Sequence, residues 1–330
     1  MIKGIYGVLI GMLIIMLVMY GNLAFNSKTK EQEQTPVENP KYHLQLLIEN
    51  TNENFWTSFE EGAIAAQADY GVYIELVPLE QMTIEELKET VEMGVNAGVD
   101  GIALQAADSE QTKLIIEAAK QQGVSVLTYK NNNFIVSETP VVGTNSYYLG
   151  SYAGDMAVDA TNGQAEVAVI INNAGNEGIE EYQNNFIQGL LDSFSDYSAM
   201  SLSDIYTIDA DMFEAEKVAS EIIRNEKKPD LVICIDEKCT PGIAQILVDN
   251  NMVGDIKLVG YGITKLTLDY IDHGVIYGII CPDAYEIGYK TVKVLAEMLD
   301  GKHISDSITT GLYRIDKSNI KKYLEEIEAD

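Results

Sequence analysis

From Tyr42 onward, short apolar runs alternate with longer stretches whose apolar residues recur every three or four positions. The pattern predicts strands at His43–Ile48, Val72–Pro78, Gly101–Gln105 and Ser125–Tyr129, separated by helices over Phe55–Tyr70, Thr83–Ala97 and Glu110–Gln122. The second helix illustrates the rule. Ile84, Leu87, Val91 and Val95 share one face, and Thr83 with Glu86 makes a capping-box pattern at its start. The alternation pauses at Pro140–Asn145 and then restarts. Strands follow at Glu166–Ile171, Ser203–Asp209, Leu231–Ile235, Lys257–Tyr261 and Ile276–Cys281. Helices are predicted over Ser151–Ala160, Glu180–Ser193, Phe213–Asn225, Ile243–Asn250, Leu266–His273 and Tyr285–Leu299. Strand–helix alternation with short connections means parallel βαβ units, and two such blocks in series mean two α/β lobes with a cleft between them. In open α/β sheets ligands bind beyond the carboxyl ends of the strands, so the loops there are where a site is expected.

The N-terminus breaks this rhythm. Gly4 to Phe25 is 22 residues without a charged side chain, dominated by Ile, Leu, Met and Val. About 20 such residues span a bilayer core as a helix, and no polar face of the kind a soluble helix carries is present. Residues 1–25 therefore read as a transmembrane anchor, with a removed signal peptide as the competing reading. Asn22-Leu23-Ala24 matches a cleavage site poorly, and no cysteine near the end of the run offers a lipid attachment point. Residues 26–41 are polar, include two prolines and form a flexible tether. The body is expected outside the cytoplasm, on a single-pass cell-membrane protein.

Composition narrows the function. The 51 acidic and 22 basic residues give a formal net charge of −29, which repels nucleic-acid backbones and anionic lipid. His43, His273 and His303 lie in separate elements, and Cys234, Cys239 and Cys281 form no CxxC or zinc spacing. The cysteines read either as three buried thiols or as one disulfide plus a free thiol. Neither a G-x-S-x-G, a P-loop nor a G-x-G-x-x-G is present, so no enzyme, metal or cofactor is indicated.

At the loops after the strands, six stretches in order carry a resemblance. Asn52-Glu53-Asn54-Phe55-Trp56 leads to Phe59-Glu60-Glu61-Gly62-Ala63; Gly98-Val99-Asp100-Gly101-Ile102 leads to Ala107-Asp108-Ser109. Gly143-Thr144-Asn145 leads to Gly150-Ser151-Tyr152-Ala153-Gly154. Asp230 to Glu237, Leu258-Val259-Gly260-Tyr261 and Tyr285-Glu286-Ile287-Gly288-Tyr289 complete the set. Together they resemble the ribose-binding-protein-like class of type I periplasmic binding proteins, the sugar receptors of ABC importers, from Tyr42 to the end. The resemblance implies two Rossmann-like lobes with parallel sheets, joined by a three-crossover hinge near Asn145, Pro282 and Thr309–Gly311. It implies a first lobe of 42–145 plus 283–308 and a second of 146–282 plus 309–330. The implied partners are a small polar ligand, a sugar first of all, and an ABC permease; the alternative is a membrane-tethered sensor signalling through a histidine kinase.

The resemblance also implies a cleft and exposes departures from it. A pyranose site needs aromatic faces and bidentate polar groups, and Phe55 with Trp56 occupies the place of the family's aromatic loop. Gln105 stands where the family has an amide, and Thr144 and Asn145 at its hinge-side polar pair. The family's Asp-Arg pair becomes Tyr129-Lys130, and its second-lobe Arg is missing near Glu180 to Tyr182. Ile235 replaces the Asn before Asp236, Gly262 the Asp after Tyr261, Pro282 a Gln and Glu53 an Asn. The expected lining is thus Glu53, Phe55, Trp56, Gln105, Lys130, Thr144, Asn145, Tyr182, Asp236 and Tyr261. Such an acidic set favours a neutral or cationic ligand over an anion. The competing reading is that small-molecule binding has been lost and the clamp serves as a protein-contact module.

Overall fold

The computed structural model describes residues 39–50, 54–105, 110–131, 138–172, 179–208 and 212–329. The expected membrane span over 4–25 and tether over 26–41 lie almost wholly outside them; among the described residues no helix is long and apolar enough to cross a membrane. The body consists of two α/β lobes, each built on a six-stranded sheet.

The first sheet holds β1 (His43–Glu49), β2 (Tyr73–Leu79), β3 (Gly101–Gln105), β4 (Ser125–Asn131), β5 (Val141–Thr144) and β11 (Ser307–Thr309), in the order β11-β5-β4-β3-β1-β2. Every pairing in it is parallel. Helices α1 (Asn54–Tyr70) and α9 (Ala284–Leu299) cover one face; α2 (Ile84–Ala97) and α3 (Glu110–Gln121) cover the other. The second sheet holds β6 (Gln164–Asn172), β7 (Ala199–Ile208), β8 (Leu231–Ile235), β9 (Lys257–Tyr261), β10 (Gly278–Pro282) and β12 (Leu312–Asp316), in the order β12-β10-β9-β8-β6-β7. Only β12 runs antiparallel to its neighbour. Helices α4 (Ser146–Thr161) and α5 (Ile179–Phe194) lie on one face, and α6 (Met212–Arg224), α7 (Cys239–Asp249), α8 (Lys265–Asp272) and α10 (Ile320–Ala329) on the other. Leu231–Ile235 is buried at all five positions, as a strand covered on both faces must be.

The differences from the sequence reading have local causes. Helix α4 starts at Ser146, five residues ahead of its predicted start, because the Asn145 side chain accepts the amide of Tyr147 and caps it there. At α2 the Thr83 hydroxyl accepts the Glu86 amide, as the capping pattern predicts. The Glu86 carboxylate, however, accepts the amides of Glu80 and Gln81 at 2.7 and 3.0 Å, bracing the preceding loop. β5, β11, β12 and α10 were not predicted; β5 and β11 have four and three residues, and β12, Leu312–Asp316, buries only Ile315, so none carries a continuous apolar run of strand length.

Each lobe contains the same helix-pair device. In α1, Phe59-x-x-Gly62 meets Tyr285-x-x-Gly288 in α9: a Cβ on Gly62 would lie 2.0 Å from the Tyr285 carbonyl oxygen, and one on Gly288 1.9 Å from that of Phe59. In the second lobe Phe186-x-x-Gly189 of α5 meets Tyr147-x-x-Gly150 of α4, with corresponding distances of 2.0 and 1.9 Å. Only glycine permits backbones to approach this closely, so both pairs are fixed at the sequence level by where glycine stands.

The chain passes between the sheets three times, at Asn145, at Asp283 and at Thr310–Gly311. The passages are tied together. The Thr310 amide donates to the Gly143 carbonyl at 3.0 Å, and the Thr144 and Thr310 hydroxyls face each other at 3.4 Å. The Asp283 amide donates to the Gly311 carbonyl at 3.0 Å, and the Gly311 amide donates to the Glu286 carboxylate.

Candidate functional site

A cavity of about 850 Å³ opens between the lobes beyond the carboxyl ends of β1, β8, β9 and β10. That volume lies within the range of about 300–1,000 Å³ typical of small-molecule sites. Its first-lobe wall is the N-terminal part of α1 (Asn54, Phe55, Ser58, Glu61) and the start of α9 (Asp283, Tyr285). Its second-lobe wall is Glu237, Tyr261, Gly262, Ile263 and Cys281, with Tyr313, Lys322 and Tyr323 to one side. The Asn54 amide nitrogen donates to the Ile263 carbonyl at 2.7 Å, a direct bond from one lobe to the other across this opening.

Of the residues expected from sequence, Phe55 and Tyr261 line the cavity. Glu53 lies outside the described residues. Trp56 is 4% exposed and belongs to the first-lobe core, edge-on to Phe55, Phe59 and Tyr129. Its indole Nε1 and the Gln105 side-chain oxygen are buried without a hydrogen-bond partner among the described residues. Lys130 adopts φ +82°, a region costly for a side chain with a Cβ. Its ammonium rests 5.1 and 5.0 Å from the ring centroids of Phe55 and Trp56, with Glu49 at 3.9 Å. Thr144 and Asn145 serve the first crossover, by the Thr310 contact and the α4 cap described above.

Tyr182, Asp236 and Tyr261 gather on the second-lobe face. Burial first, then the Asp236 carboxylate, pushes the Tyr182 phenol well above its ordinary range. Burial also raises Tyr261 strongly, followed by Tyr182, Glu237, Cys281 and Asp236. One Asp236 carboxylate oxygen accepts the Cys239 amide at 2.8 Å, and its carbonyl accepts the Thr240 hydroxyl at 2.7 Å, so this residue starts α7 as well as facing the cluster. Cys234, Cys239 and Cys281 are all buried thiols.

The residue that sequence reasoning missed is Glu237. Gly262 has φ +85°, and a Cβ built on it would lie 2.4 Å from the Glu237 Cγ. The Glu237 side chain thus fills the space that a side chain at 262 would take. Where the family resemblance places an aspartate after β9, this fold supplies a carboxylate from the loop after β8. The only sequence signal was an acidic pair, Asp236-Glu237, in register with an unexpected glycine. Asp283 and Tyr313 were likewise missed; the Tyr313 hydroxyl donates to Asp283 at 2.7 Å, joining the second and third passages at the cavity edge. Among the described residues no group of His, Cys, Asp and Glu is arranged to hold a metal ion.

The periplasmic binding protein domain model matches residues 45–303. A comparison with curated proteins finds no match. Among solved structures, GanP, a glucose-galactose binding protein from Geobacillus stearothermophilus, superposes with a TM-score of 0.75 at 24% identity, covering 86% of this chain and 99% of its own. The sugar-binding protein of a sugar ABC transporter from Bacillus halodurans gives 0.77 at 18%, covering 86% and 100%. XylFII in the XylFII–LytSN complex gives 0.70 at 23%, covering 84% and 99%. These identities carry the fold, and the family model, spanning most of the chain, carries the membership. The chain belongs to the periplasmic binding protein domain family and has a two-lobed α/β fold.

Proposed function

We propose that this protein is an extracytoplasmic solute-binding protein that closes its lobes on a small polar ligand of the carbohydrate class and presents it to an ABC permease. The observation that carries the reading is the interlobe cavity, walled by α1 and α9 on one side and by the loops after β8 and β9 on the other. Lobes of 42–145 with 283–308 and of 146–282 with 309–330 turn about the three tied passages; the assignment of β11 to one sheet and β12 to the other supports that division. Residues 4–25 anchor the body as a single-pass helix, and 26–41 tether it. Glu53, Phe55, Trp56, Gln105, Lys130, Tyr182, Asp236 and Tyr261, joined by Glu237, line or support the site, while Thr144 and Asn145 hold the hinge. Binding followed by release needs no covalent chemistry, so the protein is not an enzyme in this reading. Calorimetry of the protein in detergent against a panel of pentoses and hexoses, with Trp56 emission recorded in parallel, tests it. Heat and an emission change with at least one sugar are expected; neither with any member refutes it.

A second reading, a tethered sensory module acting through a partner kinase, is favoured by the resemblance to XylFII, which is known in a complex with LytSN. Deleting the gene separates the two. Lost sugar uptake supports import, whereas intact uptake with a lost transcriptional response supports sensing.

A further inference from the structure

We infer that the ligand of the interlobe cavity carries a positively charged nitrogen beside its polar groups; this rests on the solute-binding reading and narrows its ligand class. Among the described residues the charged lining is Glu61, Glu237 and Asp283 with one base, Lys322, which is exposed. Among them neither arginine nor histidine lines the cavity, so this lining offers none of the planar donors that suit an acidic ligand. The three carboxylates come from α1, from the loop after β8 and from the start of α9, so they converge by folding rather than forming one solvated helix face. Phe55, Tyr261, Tyr285 and Tyr313 stand among them, and aromatic faces attract cations.

A cation seat of this chemistry already exists at the edge of the site. The Lys130 ammonium sits over the Phe55 and Trp56 rings at 5.1 and 5.0 Å, held there on a backbone with φ +82°. Its charge is answered by Glu49 at 3.9 Å, and Lys130 is not among the described residues that line the cavity. Negative potential also registers on the lining itself. Burial, then Glu237 and Asp283, raises the Cys281 thiol; burial, then the hydrogen bond to Asp283, raises the Tyr313 phenol. Asp283 is fixed by the Glu286 amide and the Tyr313 hydroxyl at 2.8 and 2.7 Å, and the stem of Glu237 by its packing on Gly262. An uncharged sugar draws nothing from these three charges. An ammonium group is attracted by them.

The test is calorimetry of the full-length protein in detergent micelles at mildly acidic pH, with D-glucose, N-acetyl-D-glucosamine, D-glucosamine and putrescine as probes. D-Glucosamine is expected to bind about tenfold more tightly than the two uncharged sugars, an advantage that shrinks at high salt. Glu237→Gln should abolish that advantage by weakening D-glucosamine binding more than D-glucose binding; Glu61→Gln serves as the second variant if the first lowers the melting temperature, and an advantage kept in both overturns the inference. Equal affinity for all three sugars overturns the inference while leaving the carbohydrate reading standing. Binding of putrescine alone supports the inference and overturns the carbohydrate reading, and binding of none overturns both.

Discussion

Replacing Gly288 by alanine sets two physical effects against each other with opposite signs. Gly288 lies inside α9, where alanine is a better helix former by about 1 kcal/mol. The new Cβ, however, would stand 1.9 Å from the Phe59 carbonyl oxygen and 2.8 Å from its carbon. The obstacle is backbone within α1, not the end of a flexible side chain, so relief requires the two helices to separate by more than 1 Å to reach ordinary contact. Overpacking of this kind costs about 1–3 kcal/mol and occasionally more; with immovable backbone on one side we place it near 3. The net expectation is destabilisation of about 2 kcal/mol after the propensity gain. For a body of this size that lowers the midpoint of thermal unfolding by roughly 3 °C. Circular dichroism of parent and variant measures it, and Gly150→Ala, which meets the Phe186 carbonyl oxygen at 1.9 Å, should behave alike. An unchanged or raised midpoint for Gly288→Ala would mean that propensity wins and that the close helix approach is not a constraint. The outcome reaches the site, because the same two helices carry Phe55, Glu61, Asp283 and Tyr285 into the cavity wall.

Three further outcomes follow from the geometry. Asn54→Ala removes the 2.7 Å bond to the Ile263 carbonyl; since such a bond contributes about 1 kcal/mol, the unfolding free energy should fall by about that much in denaturant titration, and an unchanged value would mean that the bond adds nothing to the fold. At Lys130, glycine should be more stable than alanine by about 1 kcal/mol in denaturant titration, because only glycine occupies φ +82° without strain; the reverse order would mean the backbone relaxes. Glu286 is depressed below the ordinary glutamate range: partial burial works against its charge, but Lys290 and the Gly311 amide outweigh it. A depressed folded value contributes stability that is fully present above the unfolded pKa, about 4.3, and lost as pH falls through the folded one. The gap in melting temperature between parent and Glu286→Gln should therefore be constant near neutrality and close on acidification below about pH 4; a gap that persists in acid refutes the assignment.

The periodic segments were legible because burial on one face leaves a mark every three or four residues, or continuously in a strand covered on both sides. Leu231–Ile235 and Lys257–Tyr261 fall where the pattern put them. β5 and β11 were not legible, since a strand of three or four residues is set by the neighbour it pairs with, and β12 carries no continuous apolar run. For the candidate site the division is sharper. Phe55 and Tyr261 were expected at the cleft because they stand at positions the family resemblance implies, and both lie in the lining of the cavity. The resemblance also indicated Trp56 as an aromatic of the same loop, but whether that ring stacks on a ligand or closes a core depends on Phe59 and Tyr129 packing against it. Gly262 by itself signalled a lost carboxylate. Only the tertiary structure decided otherwise, because Glu237 approaches from another strand through space that a side chain at 262 would have occupied. Periodicity records which face a segment buries; it carries no information on which distant residue fills the gap a glycine leaves.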